Sequence, residues 1–143
     1  MRTFLFISFL MVILNATAQK WTKEKAWSWY EKQPWLVGTN FNPSSSINQL
    51  EFWQAETFDQ STIERELKWS SELGMNVHRV YLHNLLWEQN SEGFLKRIEL
   101  YLSIAAKYEI KTIFVLLDDV WHPEPYLGKQ PDPIPHLHNS GRV

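Results

Sequence analysis

Cysteine is absent from the 143 residues, which excludes a disulfide framework and a thiolate zinc site without fixing a compartment. An excess of basic charge is missing as well: 14 Lys and Arg stand against 16 Asp and Glu, a formal net charge of −2. Such a chain sets up no positive field for phosphates, which argues against a nucleic-acid partner. No G-x-G-x-x-G follows the first apolar segment, where the sequence reads "GTNFNPS". That argues against a dinucleotide-binding loop, and no cofactor is implied. The length suits one domain, since domains commonly run to about 100–150 residues.

What is present begins with a leader. In "MRTFLFISFLMVILNATAQK" Arg2 supplies a positive start, residues 4–14 are an apolar run too short to span a bilayer, and Ala16-Thr17-Ala18 reads as a small-residue cleavage site. Residues 1–18 are therefore expected to be a signal peptide, with an uncleaved anchor as the alternative. The mature protein, from Gln19, is expected to be secreted or periplasmic, with no membrane contact after cleavage.

Hydrophobic periodicity then predicts alternating elements. "TKEKAWSWYEK", residues 22–32, reads as a lead-in helix ended by Pro34, and "WLVGTNF", residues 35–41, as a first strand. After "NPSSSINQLEFWQAETF" comes a helix in which Ser61 and Glu64 form a capping box, Ile63, Leu67 and Ser70 share a face, and Gly74 is the stop. "MNVHRVYLH", residues 75–83, is a second strand. A helix over about residues 94–108 carries Phe94, Ile98, Tyr101, Leu102 and Ala105 on one stripe, and "IKTIFVLLD", residues 110–118, is a third strand. The spacing is that of βαβ units, which implies an α/β fold with a parallel sheet. A (β/α)8 barrel suits the pattern better than a doubly wound sheet. Such a barrel takes about 250 residues, so this chain supplies only its first three units.

In parallel α/β sheets ligands lie beyond the carboxyl ends of the strands. After the first strand come Asn40, Asn42, Asn48, Gln49, Glu51, Trp53 and Gln54. After the second come His83, Asn84, Trp87 and Glu88; after the third, Asp118, Asp119, Trp121 and His122. Amides, acids and indoles together suit a carbohydrate, whose hydroxyls take bidentate polar partners and whose C–H faces pack on aromatic rings. Core or loop-anchoring indoles are the alternative. Arg79 is the sharper signal, a charge in a strand otherwise apolar. By alternation it shares a face with Val77 and Tyr81. It is expected to point into the barrel interior and meet a carboxylate there, as a structural ion pair or as the group that keeps a catalytic carboxylate ionised.

The segments "WLVGTNFNPSSSINQLEFWQ", "ELGMNVHRVYLHNLLWEQ", "IKTIFVLLDDVWHPEPYLGKQ" and "HNSG" together resemble the start of the cellulase-like retaining glycoside hydrolases with a (β/α)8 barrel. The resemblance covers nearly all of the mature chain, and "GMNVHRV" is its most specific element. It implies hydrolysis of a β-linked glycan by two Glu residues in later barrel units, downstream of Val143, with residues 19–143 as the N-terminal part of the barrel domain. Arg79 matches the arginine that contacts the nucleophile. Asn40, His83, Asp118 and Trp121 are expected to line the substrate cleft. Asp118 matches the family's Asp, but the His that many relatives carry two residues later is Val120 here, and His122 is displaced. Glu109 stands where a helix-ending Gly is expected.

Two rival readings remain from the residues alone. Asp118, Asp119, His122, His136 and His138 offer carboxylate and imidazole groups to a metal, although five prolines interrupt them. Alternatively the aromatic loops serve a non-catalytic sugar-binding module. Three parallel strands leave an open edge that such a module would have to hide.

Overall fold

The computed structural model describes residues 20–118, 124–137 and 141. The leader expected over residues 1–18 lies outside them. The chain divides into two compact units, with the boundary between Pro34 and Trp35.

The first unit holds α1, Lys23–Tyr30. Thr22 caps it from extended backbone, its hydroxyl accepting the Lys25 N–H at 3.2 Å, and Glu24 complements the helix dipole in the first turn. None of its residues is buried. Its rings pair among themselves edge-on, Trp21 with Trp29 and Trp27 with Tyr30.

The second unit runs β1 (Gly38–Asn40), α2 (Gln49–Trp53), α3 (Gln60–Glu72), β2 (Val77–Tyr81), α4 (Asn84–Lys107), β3 (Lys111–Val115). It is a mixed α/β unit with one parallel sheet in the order β1-β2-β3. Asn40 stands opposite Arg79, and Arg79 opposite Ile113. β1 is shorter than the run 35–41 because Asn76 takes over the ladder ahead of it. The Asn76 side chain accepts the Val37 N–H at 2.9 Å and donates to the Trp35 carbonyl at 2.8 Å, while its own N–H donates to the Val37 carbonyl at 2.8 Å. Gly38 then passes so close to β2 that a Cβ there would stand 1.6 Å from the Val77 carbonyl oxygen.

The helices depart from their expected starts for local reasons. α3 is capped by Asp59 rather than Ser61: Asp59 Oδ1 accepts the Thr62 N–H at 3.1 Å and the Ser61 hydroxyl at 2.7 Å. A carboxylate is an acceptor only and is favoured by the helix dipole, so it outcompetes the hydroxyl. Those bonds hold its pKa well below the usual carboxylate range. Glu64, expected in a capping box with Ser61, instead pairs with Lys107 and accepts the Tyr108 hydroxyl at 3.2 Å. α4 begins at Asn84, well before residue 94, and breaks at Asn90 (φ −162°, ψ 86°), whose Oδ1 accepts the Gly93 N–H at 2.8 Å and recaps the second half. The expected helix is that second half. α2 lies inside a stretch that carried no helix assignment.

α3 and α4 end alike. After α3 the Met75 N–H reaches the Ser70 carbonyl at 3.0 Å and the Gly74 N–H the Ser71 carbonyl at 2.9 Å, with Gly74 left-handed. After α4 the Ile110 N–H reaches Ala105 at 2.9 Å and the Glu109 N–H reaches Ala106 at 3.1 Å, and Glu109 is left-handed at φ 58°. Both are Schellman closures, which usually take glycine at that point.

The core sits on one face of the sheet. Val80 of β2 packs there with Ile63 and Leu67 of α3, Tyr101, Ile104 and Ala105 of α4, and Leu50, Phe52 and Trp53 of α2. The Val, Leu, Ile and Phe side chains among them contribute roughly 1.5–3 kcal/mol each when fully buried. His78 is buried on the same face, its Nδ1 beside the Thr39 carbonyl at 3.3 Å, and burial pushes its pKa down. Burial pushes the Tyr101 phenol up to about 12; the Thr112 hydroxyl beside it stops short of a hydrogen bond. On the opposite face Arg79 is exposed and Ile113 is 52 % exposed. Among the described residues no helix is long and apolar enough to cross a membrane.

Candidate functional site

Because the strands are parallel, the residues that follow them gather at one rim of the sheet. A cavity of about 250 Å³ opens there, with Asn40, Asn42, Asn48, Gln49, Tyr81 and Asp118 as its polar lining. A second depression, about 410 Å³, is lined by His83, Asn84 and again Asp118, together with Leu82, Leu116 and Leu117. Three of the sequence-predicted cleft residues, Asn40, His83 and Asp118, therefore share one rim, with Asp118 common to both hollows. Trp121 lies outside the described residues.

Arg79 sits lower on β2. Its guanidinium lies over the Tyr81 ring, 4.8 Å from the centroid, and Tyr81 in turn lines the first cavity with Asn40 and Asp118. Among the described residues no carboxylate forms an ion pair with Arg79. Tyr81 was not singled out from the sequence, although its alternation with Arg79 was the available signal.

Other candidates belong to the scaffold. Trp53 is fully buried and stacked on Phe52, ring centroids 4.2 Å apart, with its indole N–H donated to the Tyr81 carbonyl at 2.9 Å. It backs the cavity from the core and offers no open face to a sugar. Glu51 accepts the Ile47 N–H at 2.7 Å and Asn84 donates to Glu88 at 2.8 Å. Gln54 grips the backbone of Gly128. Trp87 is 54 % exposed. Asp119 and His122 lie outside the described residues.

His83 caps α4, its Nδ1 accepting the Leu85 N–H at 3.2 Å. That bond leaves the ring proton on Nε2, so the neutral imidazole is a donor at the rim. Burial pushes its pKa down, against a smaller upward pull from Glu88. Among the described residues neither hollow is lined by Lys or Arg. The described lining is therefore one carboxylate among amides and a neutral imidazole beside a tyrosine. Such groups can pair with hydroxyls in both directions and have no charge complement for an anion. Among the described residues no three His, Asp or Glu groups converge as a metal site; of the candidate metal ligands, Asp119, His122 and His138 lie outside those residues.

No family model, curated protein or solved structure matches this chain.

Proposed function

We propose that the protein is an exported retaining glycoside hydrolase acting on a β-linked glycan, and that these elements are the first three units of its (β/α)8 barrel. The observation that carries this reading is the one-sided sheet. Its strands follow each other without reversal, α3 and α4 pack into one core on a single face, and among the described residues of this unit the other face is bare of helices and bears exposed Arg79. A doubly wound sheet reverses its order and covers both faces, whereas a barrel wall keeps its order and carries helices outside only.

In this reading the bare face looks into the barrel. One Glu from a later unit protonates the leaving oxygen and a second attacks the anomeric carbon, the carboxyls standing about 5–5.5 Å apart so that configuration is retained. Arg79 orients the attacking carboxylate and holds it ionised by its adjacent positive charge. Asn40, His83, Asp118 and Trp121 bind sugar hydroxyls and a ring face at the rim. The three units thus supply substrate contacts and the orienting cation, and the reacting carboxylates come from elsewhere in the barrel.

The test is to follow the reading frame beyond Val143 and express the full product with a panel of soluble β-linked glycans, reading the anomer first released by NMR. Release of the β-anomer supports the proposal. Absence of hydrolysis across the panel, or inversion, overturns it.

A further inference from the structure

Three side-chain amides tie the connection after β1 to the connection after β3. Asn48, 3 % exposed, caps α2 by accepting the Glu51 N–H at 2.9 Å, and its Nδ2 donates to Gln130 Oε1 and to the Gly141 carbonyl, both at 2.9 Å. Gln130, equally buried, donates through Nε2 to the carbonyls of Tyr126 at 2.9 Å and Gly128 at 3.0 Å. At the far end of α2 Gln54 holds both backbone groups of Gly128, donating to its carbonyl at 3.0 Å and accepting its N–H at 2.5 Å. Gly141 comes so close that a Cβ would stand 1.8 Å from Ile47 Cδ1.

None of Gln54, Gly128, Gln130 and Gly141 lines the cavity, yet Ile47, Asn48, Gln49 and Phe52 do. The clamp therefore acts from behind the wall. α2 has only five residues, too few to persist by its own hydrogen bonds, since isolated helices shorter than about 12–15 residues are marginal in water. Its position must come from tertiary contacts. Both amide hydrogens of Asn48 are engaged by Gln130 and Gly141, so Asn48 offers the cavity a fixed surface and no free donor.

We propose that Gln130 is a positioning residue: acting through Asn48, it holds residues 47–49 as a preformed wall of the cleft before any ligand arrives. That the ligand is a glycan rests on the function proposed above, but the clamp does not.

The experiment is amide hydrogen exchange on the full chain and on Gln130→Met, which keeps side-chain length and removes every bond Gln130 makes, alongside titration with cellohexaose and xylohexaose. Exchange at residues 47–53 is expected to accelerate at least about tenfold while β2 and β3 amides keep their rates, as for a local opening. Hexaose affinity should fall with the wall. Unchanged exchange at residues 47–53 overturns the proposal, and so does acceleration spread equally through the sheet. If Gln130→Met does not fold, Asn48→Ser, which keeps an N-cap oxygen and loses both donated bonds, gives the same two-way reading. Wild-type protein that binds neither hexaose counts against the glycan reading alone, because the exchange comparison decides the clamp without a ligand.

Discussion

The guanidinium of Arg79 rests over the ring of Tyr81, 4.8 Å from its centroid, and Arg79 is exposed on the face of β2 opposite the core. An exposed cation–π contact is worth roughly 0.5–1 kcal/mol. Arg79→Ala is therefore expected to cost no more than about 1 kcal/mol in denaturant unfolding of this chain. Under the hydrolase function proposed above, the same change should reduce kcat/KM by well over about tenfold, because an orienting charge beside the nucleophile is lost. Full-length variant activity within about tenfold of wild type would remove the role assigned to Arg79.

Glu109 offers a gain of stability. It holds φ 58° at the Schellman closure of α4, where Gly74 holds φ 82° after α3. A side chain in the left-handed region costs about 1 kcal/mol, part of it offset by the greater freedom of glycine in the unfolded chain. Glu109→Gly should thus stabilise by about 0.5–1 kcal/mol. Thermal unfolding measures it, and a lower melting temperature would contradict the backbone argument.

His83 should make stability depend on pH. Its folded pKa lies below the ordinary value because burial disfavours the cation, so the unfolded chain takes up the proton first. The contribution is complete above the unfolded pKa of about 6.5 and is lost as pH falls through that value toward the folded one. His78 shifts in the same direction and adds to the slope. Melting temperature is expected to drop between about pH 7.5 and pH 5.5. His83→Asn, which caps a helix without titrating, should flatten that slope in part. Equal slopes in the two proteins would show that His83 does not contribute.

Gly38 leaves no room for a larger residue. A methyl group at Gly38 meets the Val77 carbonyl oxygen and carbon, which belong to backbone and cannot rotate away. Overpacking commonly costs about 1–3 kcal/mol, and contact with backbone belongs at the upper end. Gly38→Ala should detach β1, read as loss of exchange protection at the Phe41 N–H, which donates to the Arg79 carbonyl at 2.9 Å. Retained protection there would mean that the strands can move apart without loss of pairing.

The amino-acid sequence alone determined the order of the three strands and of the two longer helices between them, the parallel α/β class and the rim at which Asn40, His83 and Asp118 meet. Periodicity, capping residues and the βαβ spacing are local signals, and a parallel sheet collects the ends of its strands whatever fills the rest. The particular cap of α3 was misread because Ser61 and Asp59 are both good caps, and geometry favours the carboxylate. α2 escaped notice because five residues have too little periodicity to read. Tertiary structure alone decided that Trp53 is core and not a sugar platform, that Glu64 answers Lys107, and that Asn48 meets Gln130 and Gly141. Those pairings join residues as much as 93 positions apart. An amide carries no label in the sequence for its distant partner; only tertiary packing, including that of α2 against α4, brings the two connections close enough to bond.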